Sequence, residues 1–427
     1  MNRKIALFAI FVLSNQFLFA QNIESIQVSE VSRIEKILSA DDMQGRRTFS
    51  PGIEKAADFI AAEFKKAGIK PWKGNHFFQE FEMQRTRFIS ARAVLDGNPI
   101  NESNIVALSS QKNILISNTS GYEKLRVKAT DTLNAAMQRM LSSDKNYFVI
   151  VDTIHARNFN NVKRFRRESM SLKNNIVMVL SASDASTFSV EFNQEVTALK
   201  LKNVVGIIPG KSKKEEFVIF SGHYDHLGIG KTNKEMDSIF NGANDDASGI
   251  TAVLMLAAYF NKLNNNERTL VFAAFTAEEM GGYGSNYFSK QFDPNKVMAM
   301  FNIEMIGTES KWGTNSAFIT GYEKTDMGRI LEKNLAETQF KFYPDPYPAQ
   351  DLFYRSDNAT LARQGVPAHT ISTSKMDSEK FYHTQDDEFE TLDMKNMTEI
   401  IKAIALSSKT IVSGKDSPQR VDTKQLK

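Results

Sequence analysis

Two histidines and three carboxylates, His223, Asp245, Glu279, Glu304 and His383, are the side chains of this 427-residue chain whose type and setting point to chemistry. Four of them stand in short glycine-bearing motifs, SGHYDHLG, NGANDDASG, TAEEMGGYGS and NIEMIG, and the fifth in FYHTQDD. Imidazole and carboxylate are the donors zinc takes when no thiolate is present, and five of them suit two ions sharing one bridging carboxylate. The same donors also accept cobalt or manganese. Glu278, beside Glu279, is a spare acid in the position where a water-activating base is needed. Asp225, two residues after His223, is suited to accept the other ring N–H of a ligating histidine and so fix its tautomer. For His226 the sequence offers no partner, and it reads as a structural or rim residue.

Such a set works only if the fold gathers it. From residue 203 the chain alternates strands with helices: 217–220, 270–275 and 297–301 are short apolar runs of buried-strand type, and 250–263 is a buried helix between the first two. This predicts an α/β fold, a mixed and mostly parallel sheet sandwiched by helices. Open sheets of this kind bind ligands at the carboxyl ends of their strands. His223, Glu278 with Glu279, and Glu304 each follow such a strand closely, and Asp245 lies in the segment that opens the 250–263 helix. No clear strand precedes His383. Residues 28–70 read as largely helical, with 53–64 apolar at helical spacing after Pro51-Gly52, and 397–411 reads as a further helix. Residues 82–202 carry strand-like runs at 146–151 and 175–180 and read as an inserted, smaller β-rich domain. Their basic run, Lys163-Arg164-Phe165-Arg166-Arg167, reads as a solvated face.

Hydrophobic residues make up 41% of the chain and charged residues 24%, which is globular rather than disordered. The formal charge is only +3 and no basic stripe stands out, so no nucleic-acid partner is expected. Asn2-Arg3-Lys4, the apolar run 5–13 and Phe17-Leu18-Phe19-Ala20 have the charged start, short apolar middle and small last residue of a signal peptide spanning 1–20. Its removal takes the charge to about +1 and leaves no membrane span, so a secreted or periplasmic protein is expected. The chain has no cysteine, which excludes disulfides and thiolate zinc sites.

The motifs resemble those of the co-catalytic zinc aminopeptidase family, which includes bacterial leucine aminopeptidases, yeast aminopeptidase Y and the glutamate carboxypeptidases. The resemblance rests on His223-Tyr224-Asp225, Gly242-Ala243-Asn244-Asp245-Asp246-Ala247-Ser248-Gly249, Glu278-Glu279-Met280-Gly281, Asn302-Ile303-Glu304-Met305-Ile306-Gly307 and Tyr382-His383-Thr384, in the family's order. It covers roughly 30–80 and 203–412, which gives an N-terminal part of the catalytic domain over 21–81, its main part over 203–412 and a polar tail over 413–427. The resemblance implies two zinc ions bridged by Asp245, with His223 and Glu304 completing one site and Glu279 and His383 the other. Glu278 would be the general base, taking a proton from the attacking water and passing it to the leaving amine. Tyr382 would donate to the oxyanion of the tetrahedral intermediate. The resemblance also implies a cis peptide bond after Asp245.

Two departures stand out. Many members have aspartate where Glu304 stands, and many have Ser-Asp-His where this chain has Ser356-Asp357-Asn358. Asp357 reads as a pocket or supporting residue, and Asn358 carries no signal. Some relatives insert a protease-associated domain, a small lid over the cleft, where residues 82–202 stand. The length and strand-like runs permit that reading, although the sequence does not match it closely.

The resulting expectation is an exported zinc exopeptidase acting on short peptides, foremost an aminopeptidase. A carboxypeptidase or dipeptidase on the same metal site, and a glutaminyl cyclase, remain open beside it. So does a catalytically silent, receptor-like binding protein, although every ligand position and Glu278 keep competent side chains.

Overall fold

The computed structural model describes residues 23–165 and 168–427. The predicted signal segment and part of the 163–167 basic run lie outside the described residues. The chain divides into two compact units. One is formed by the described residues up to Glu80 together with Lys202–Lys427, and the other by Phe81–Leu201. No helix among the described residues is long and apolar enough to cross a membrane.

The first unit is built on seven strands: β1 (Phe188–Ile208, through its last residues), β2 (Lys213–His223), β3 (Arg268–Phe275), β4 (Val297–Ile303), β5 (Ser316–Ile319), β6 (Lys341–Pro344) and β7 (Ala368–Ser372). Their order across the sheet is β6-β5-β7-β4-β2-β3-β1. β2 runs parallel to both β3 and β4, and β4 parallel to β7. β1 against β3 and β5 against β7 are antiparallel, so the sheet is mixed and mostly parallel, as the sequence predicts.

Both faces are covered, which is why β3 is buried along its whole length. Alternate residues serve opposite faces. Val218, Phe220, Phe272 and Phe301 pack with the helices α1 (Val28–Leu38), α2 (Pro51–Lys66), α3 (Ser248–Leu263) and α4 (Met394–Ser407). Ile219, Val271, Phe275 and Met300 pack with Phe288, Leu361 and Ala362 on the other face. Phe220 alone stacks on Phe260, Phe272 and Phe301, and burying one such ring contributes roughly 1.5–3 kcal/mol. α2 starts on Ser50, whose hydroxyl accepts from the Ile53 N–H, with Pro51 in the first turn.

The second unit is rich in strand and adds two helices that the sequence reading did not place. Its four-stranded sheet, ordered Ile105–Leu108, Ile176–Leu180, Tyr147–Val151, Glu123–Val127, is joined by two helices, Leu133–Leu141 and Ala156–Phe165. Glu123–Val127 and Tyr147–Val151 are parallel, and a parallel pair needs a crossover, which the first helix supplies. Leu133, Ala136, Met137 and Met140 form that helix's buried stripe against Val149, Val151 and Met178. The opposite sheet face, with Phe148, Ile150 and Val177, packs on Ala91, Ile114 and Phe192. The first residues of the basic run fall in the second helix.

Candidate metal centre

The parallel pairing of β2, β3 and β4 settles where the metal-capable side chains emerge. His223 ends β2 in register with Phe275, the last residue of β3, and Ser221 pairs with Asn302 of β4. His223, Glu278, Glu279 and Glu304 therefore leave one edge of the sheet. Asp245 lies in the Ala243–Ala247 turn that opens α3. The bond from Asp245 to Asp246 is cis. Gly249, in the first turn of α3, lets that helix approach β4: a Cβ there would run into the Ile303 carbonyl and both oxygens of Asp246.

Asp245 is the hub. Its Oδ1 lies 3.2 Å from His223 Nε2, and its Oδ2 lies 3.2 Å from His383 Nε2. Glu279 Oε1 lies 3.2 Å from the same His383 nitrogen. One carboxylate thus faces two imidazoles through separate oxygens. Glu304 lines the cleft with Asp245, Glu278, Glu279, Tyr382 and His383, and its Oε2 is buried without a hydrogen-bond partner. It stands outside the tightest group. Among the described residues, the metal-capable set whose donor atoms all lie within 4.8 Å of one another is His226, Asp245, Glu279 and His383.

His226 is therefore corrected. It is 1% exposed, and its Nδ1 lies 3.0 Å from Glu279 Oε1. Asp225 is corrected in part. The ring nitrogen Nδ1 of His223 donates to the Asp225 backbone carbonyl at 3.0 Å, which leaves Nε2 free towards Asp245, while the Asp225 carboxylate stands 3.9 Å away. That carboxylate instead accepts the backbone N–H groups of Glu278 and Glu279 at 3.0 and 3.3 Å.

Two further acids, not singled out from the sequence, do the same work. Asp246 accepts from the N–H of His223, Gly249 and Met305, and Asp387 from the N–H of Asn244 and Asp245. Arg46, fully buried, donates to the carbonyls of Leu38, Tyr224, Asn241 and Gly242. The loops that carry the donor set are thus pinned by buried charged groups, as preorganised sites require. Backbone strain is present here too: Ala277, Met305 and His383, all non-glycine, have φ of +57°, +53° and +57°. Asp357 is buried and pushed up to about 6 by desolvation. Asn358 is structural, donating to the carbonyls of Phe353 and Ala368.

The electrostatics fit a cation. Desolvation works against charge on Glu279, yet the hydrogen bonds of His226 and His383 hold it down to about 2. Desolvation likewise opposes a charged His383, but Asp245 and Glu279 lift it to about 10. His223 is lifted well above the ordinary histidine range by the same kind of acidic neighbours. Two imidazoles are thus made to hold protons against a surplus of carboxylate, and a divalent ion would take that place. Glu304, by contrast, is pushed up to about 7, first by desolvation. Glu278 is raised well above the usual carboxylate range by desolvation, with Glu304, Asp357 and Asp225 adding to it against the pull of His223.

The chain resembles known proteins in sequence and in fold. Residues 203–407 match the model of Peptidase family M28, a little under half of the chain. A probable leucine aminopeptidase of Trichophyton verrucosum (strain HKI 0517) is 31% identical over 211 residues, which is 47% of this chain and 54% of that protein. The chain spans about half the length of this and a second probable leucine aminopeptidase that it matches. An aminopeptidase from Aneurinibacillus sp. strain AM-1 shares the fold with a TM-score of 0.54 at 17% identity, covering 96% of this chain and 98% of the other. Porphyromonas gingivalis glutaminyl cyclase shares it with a TM-score of 0.51 at 12% identity, covering 90% and 99%. The M28 segment ends before the polar tail and begins two residues after the inserted unit closes.

Proposed function

We propose that this chain is an exported, zinc-dependent exopeptidase that removes the N-terminal residue of short peptides, with two divalent ions held along the carboxylate of Asp245. The observation that carries the reading is that carboxylate's placement: 3.2 Å from His223 Nε2 through one oxygen and 3.2 Å from His383 Nε2 through the other, in the cleft that Glu278 lines. Ions so held would lower the pKa of a water and polarise the scissile carbonyl.

The chain's own residues do the rest. Glu278 takes the proton of the attacking water and delivers it to the leaving amine. Burial raises its pKa, and a nearby cation would draw it back towards the ordinary carboxylate range, where it can accept a proton. Tyr382 stacks on His383 with ring centroids 3.9 Å apart and donates its hydroxyl proton to the carbonyl oxygen as charge builds there. Desolvation raises Tyr382, so it keeps the proton it must offer. Asp225, through the backbone N–H groups of Glu278 and Glu279, sets where the base and the ligand stand. Met305, Phe318, Leu352 and Met376 give an apolar side chain a wall to rest on.

The test is mass spectrometry of a free-amine peptide and its N-acetylated twin after incubation with the zinc-loaded protein. Stepwise trimming of the free peptide alone is expected. Shortening of both from the C-terminus would make the protein a carboxypeptidase, and loss of ammonia alone from an N-terminal glutamine would make it a cyclase. Export rests on the 1–20 segment, and N-terminal sequencing of protein from the extracellular or periplasmic fraction should begin at Gln21.

A further inference from the structure

The reading above leaves the ion beside His383 with three protein ligands. We propose that it has a fourth: His226, through Nδ1, so that this position is closed by protein atoms while the His223 and Glu304 side keeps its open positions. The inference rests on the metal reading and adds to it.

The argument is geometric. An ion bonded at about 2.0–2.1 Å to four tetrahedral donors holds them roughly 3.3 Å apart. His226 Nδ1 lies 3.0 Å from Glu279 Oε1 and 3.8 Å from Asp245 Oδ2. His383 Nε2 lies 3.2 Å from each of those same two oxygens. All four donor atoms fall within 4.8 Å of one another. The identity of the oxygen matters. A histidine that merely steadied Glu279 from behind would take its outer oxygen, leaving the inner one to the ion. His226 addresses Oε1, the oxygen that also faces His383.

The ring is also placed rather than free. His226 is 1% exposed, its backbone N–H donates to the Arg46 carbonyl at 3.3 Å, and a Cβ at Gly242 would lie 2.6 Å from ring carbons. Nε2 has no hydrogen-bond partner, so Nδ1 alone orients the imidazole. Two imidazoles with two carboxylates favour zinc or cobalt over magnesium or calcium. A site closed by four protein donors has structural character, which leaves water activation to the other position.

The experiment uses the full chain stripped of metal, then given one equivalent of Zn2+ or Co2+, as wild type, His226→Asn and His226→Gln. X-ray absorption of the wild-type zinc protein should count two imidazole nitrogens on the first ion, and the Co2+ form should show the intense visible band of four-coordination. In both variants the count should fall to one, the band should weaken, and affinity should drop more than about 100-fold, beyond the roughly 10–100-fold that loss of an outer hydrogen-bond partner costs. One imidazole in the wild type overturns the proposal, and that measurement needs no variant to fold. A weakened affinity with an unchanged imidazole count also overturns it, making His226 a positioning residue for Glu279. A wild type that takes up neither ion removes the metal reading itself, a result distinct from either of these.

Discussion

In the unit formed by 81–201, charge stays at the surface. Arg85 pairs with Glu168, Arg87 with Glu195 and Arg126 with Asp152, all at least partly open to solvent, and none of its buried residues is charged among those described. The other unit buries Glu35, Arg46, Asp225, Asp245, Asp246, Arg268, Asp357 and Asp387. Both units are sheets with helices, and both fill their cores with the same aliphatic and aromatic side chains. Taking an ion out of water costs several kcal/mol unless partners compensate. Folding alone does not require that cost, as the 81–201 unit demonstrates. The unit that carries it gathers several of its buried charges, Asp225, Asp245, Asp246, Asp357 and Asp387, about the sheet edge where the proposed chemistry would take place, while Glu35 and Arg268 lie away from it.

The largest effect should come from the buried edge. Glu278→Gln keeps the shape and removes the base, so kcat should fall about 100- to 10,000-fold while bound zinc, read by metal analysis, stays at the wild-type level. Equal turnover in the two proteins would remove Glu278 from its role. Arg46→Met comes next, because it leaves four buried carbonyls without their donor. Loss of that kind costs about 3–5 kcal/mol, measurable by denaturant unfolding of the metal-free chain. A loss under about 1 kcal/mol would mean that the loops bearing His223 and Asp245 are held by other contacts.

A third effect separates buried charge with a catalytic use from buried charge without one. Glu35 accepts from Thr251 Oγ1 at 2.7 Å, and burial pushes it up to about 8, against the pull of Thr251 and Arg46. Its pKa is higher in the folded than in the unfolded state, so the folded chain holds the extra proton between about 4.5 and 8. The stability this contributes is fully present below about 4.5 and is lost as pH rises through 8. At roughly 1.4 kcal/mol per pKa unit the loss is on the order of a few kcal/mol. Glu35→Gln should lack this loss, so unfolding curves of the two metal-free proteins should diverge as pH rises across that window. Parallel curves would show that Glu35 ionises normally.

Much of the first unit was legible because its signals are local. Continuous apolar runs at 217–220, 270–275 and 297–301 can only be buried strands or helices, and their shortness between glycine-rich turns decides for strands. His223, Asp245, Glu279 and His383 were legible from their motifs, and the structure brings them together. What escaped depends on distant partners. His226 meets Glu279 across 53 residues, and Arg46 meets Tyr224 across 178. Spacing suggested that the Asp225 carboxylate serves the nearby His223 ring, but the backbone N–H groups of 278 and 279, remote in sequence, claim it. The helix Leu133–Leu141 was missed for another reason: its apolar spacing is short, and the strand-like runs at 146–151 and 175–180 that follow it carry the stronger local signal.

The smallest effect tests the other half of the comparison. Arg126 Nη2 donates to the Ala182 carbonyl at 2.7 Å and to Asp152 Oδ2 at 3.3 Å, in a pair about one-fifth exposed on each side. Asp152 keeps a second task whatever happens to Arg126, accepting from the Ile154 N–H at 3.1 Å to cap a short helix. Both side chains are about one-fifth exposed, so water screens the pair, and Arg126 Nη1 alone is buried without a partner. Arg126→Gln should therefore cost no more than about 1 kcal/mol in denaturant unfolding and leave peptide turnover unchanged. A cost of about 3 kcal/mol or more is the signature of an uncompensated buried ion. Finding it here would mean that the 81–201 unit also depends on desolvated charge, and the contrast between the two units would no longer mark where the chemistry lies.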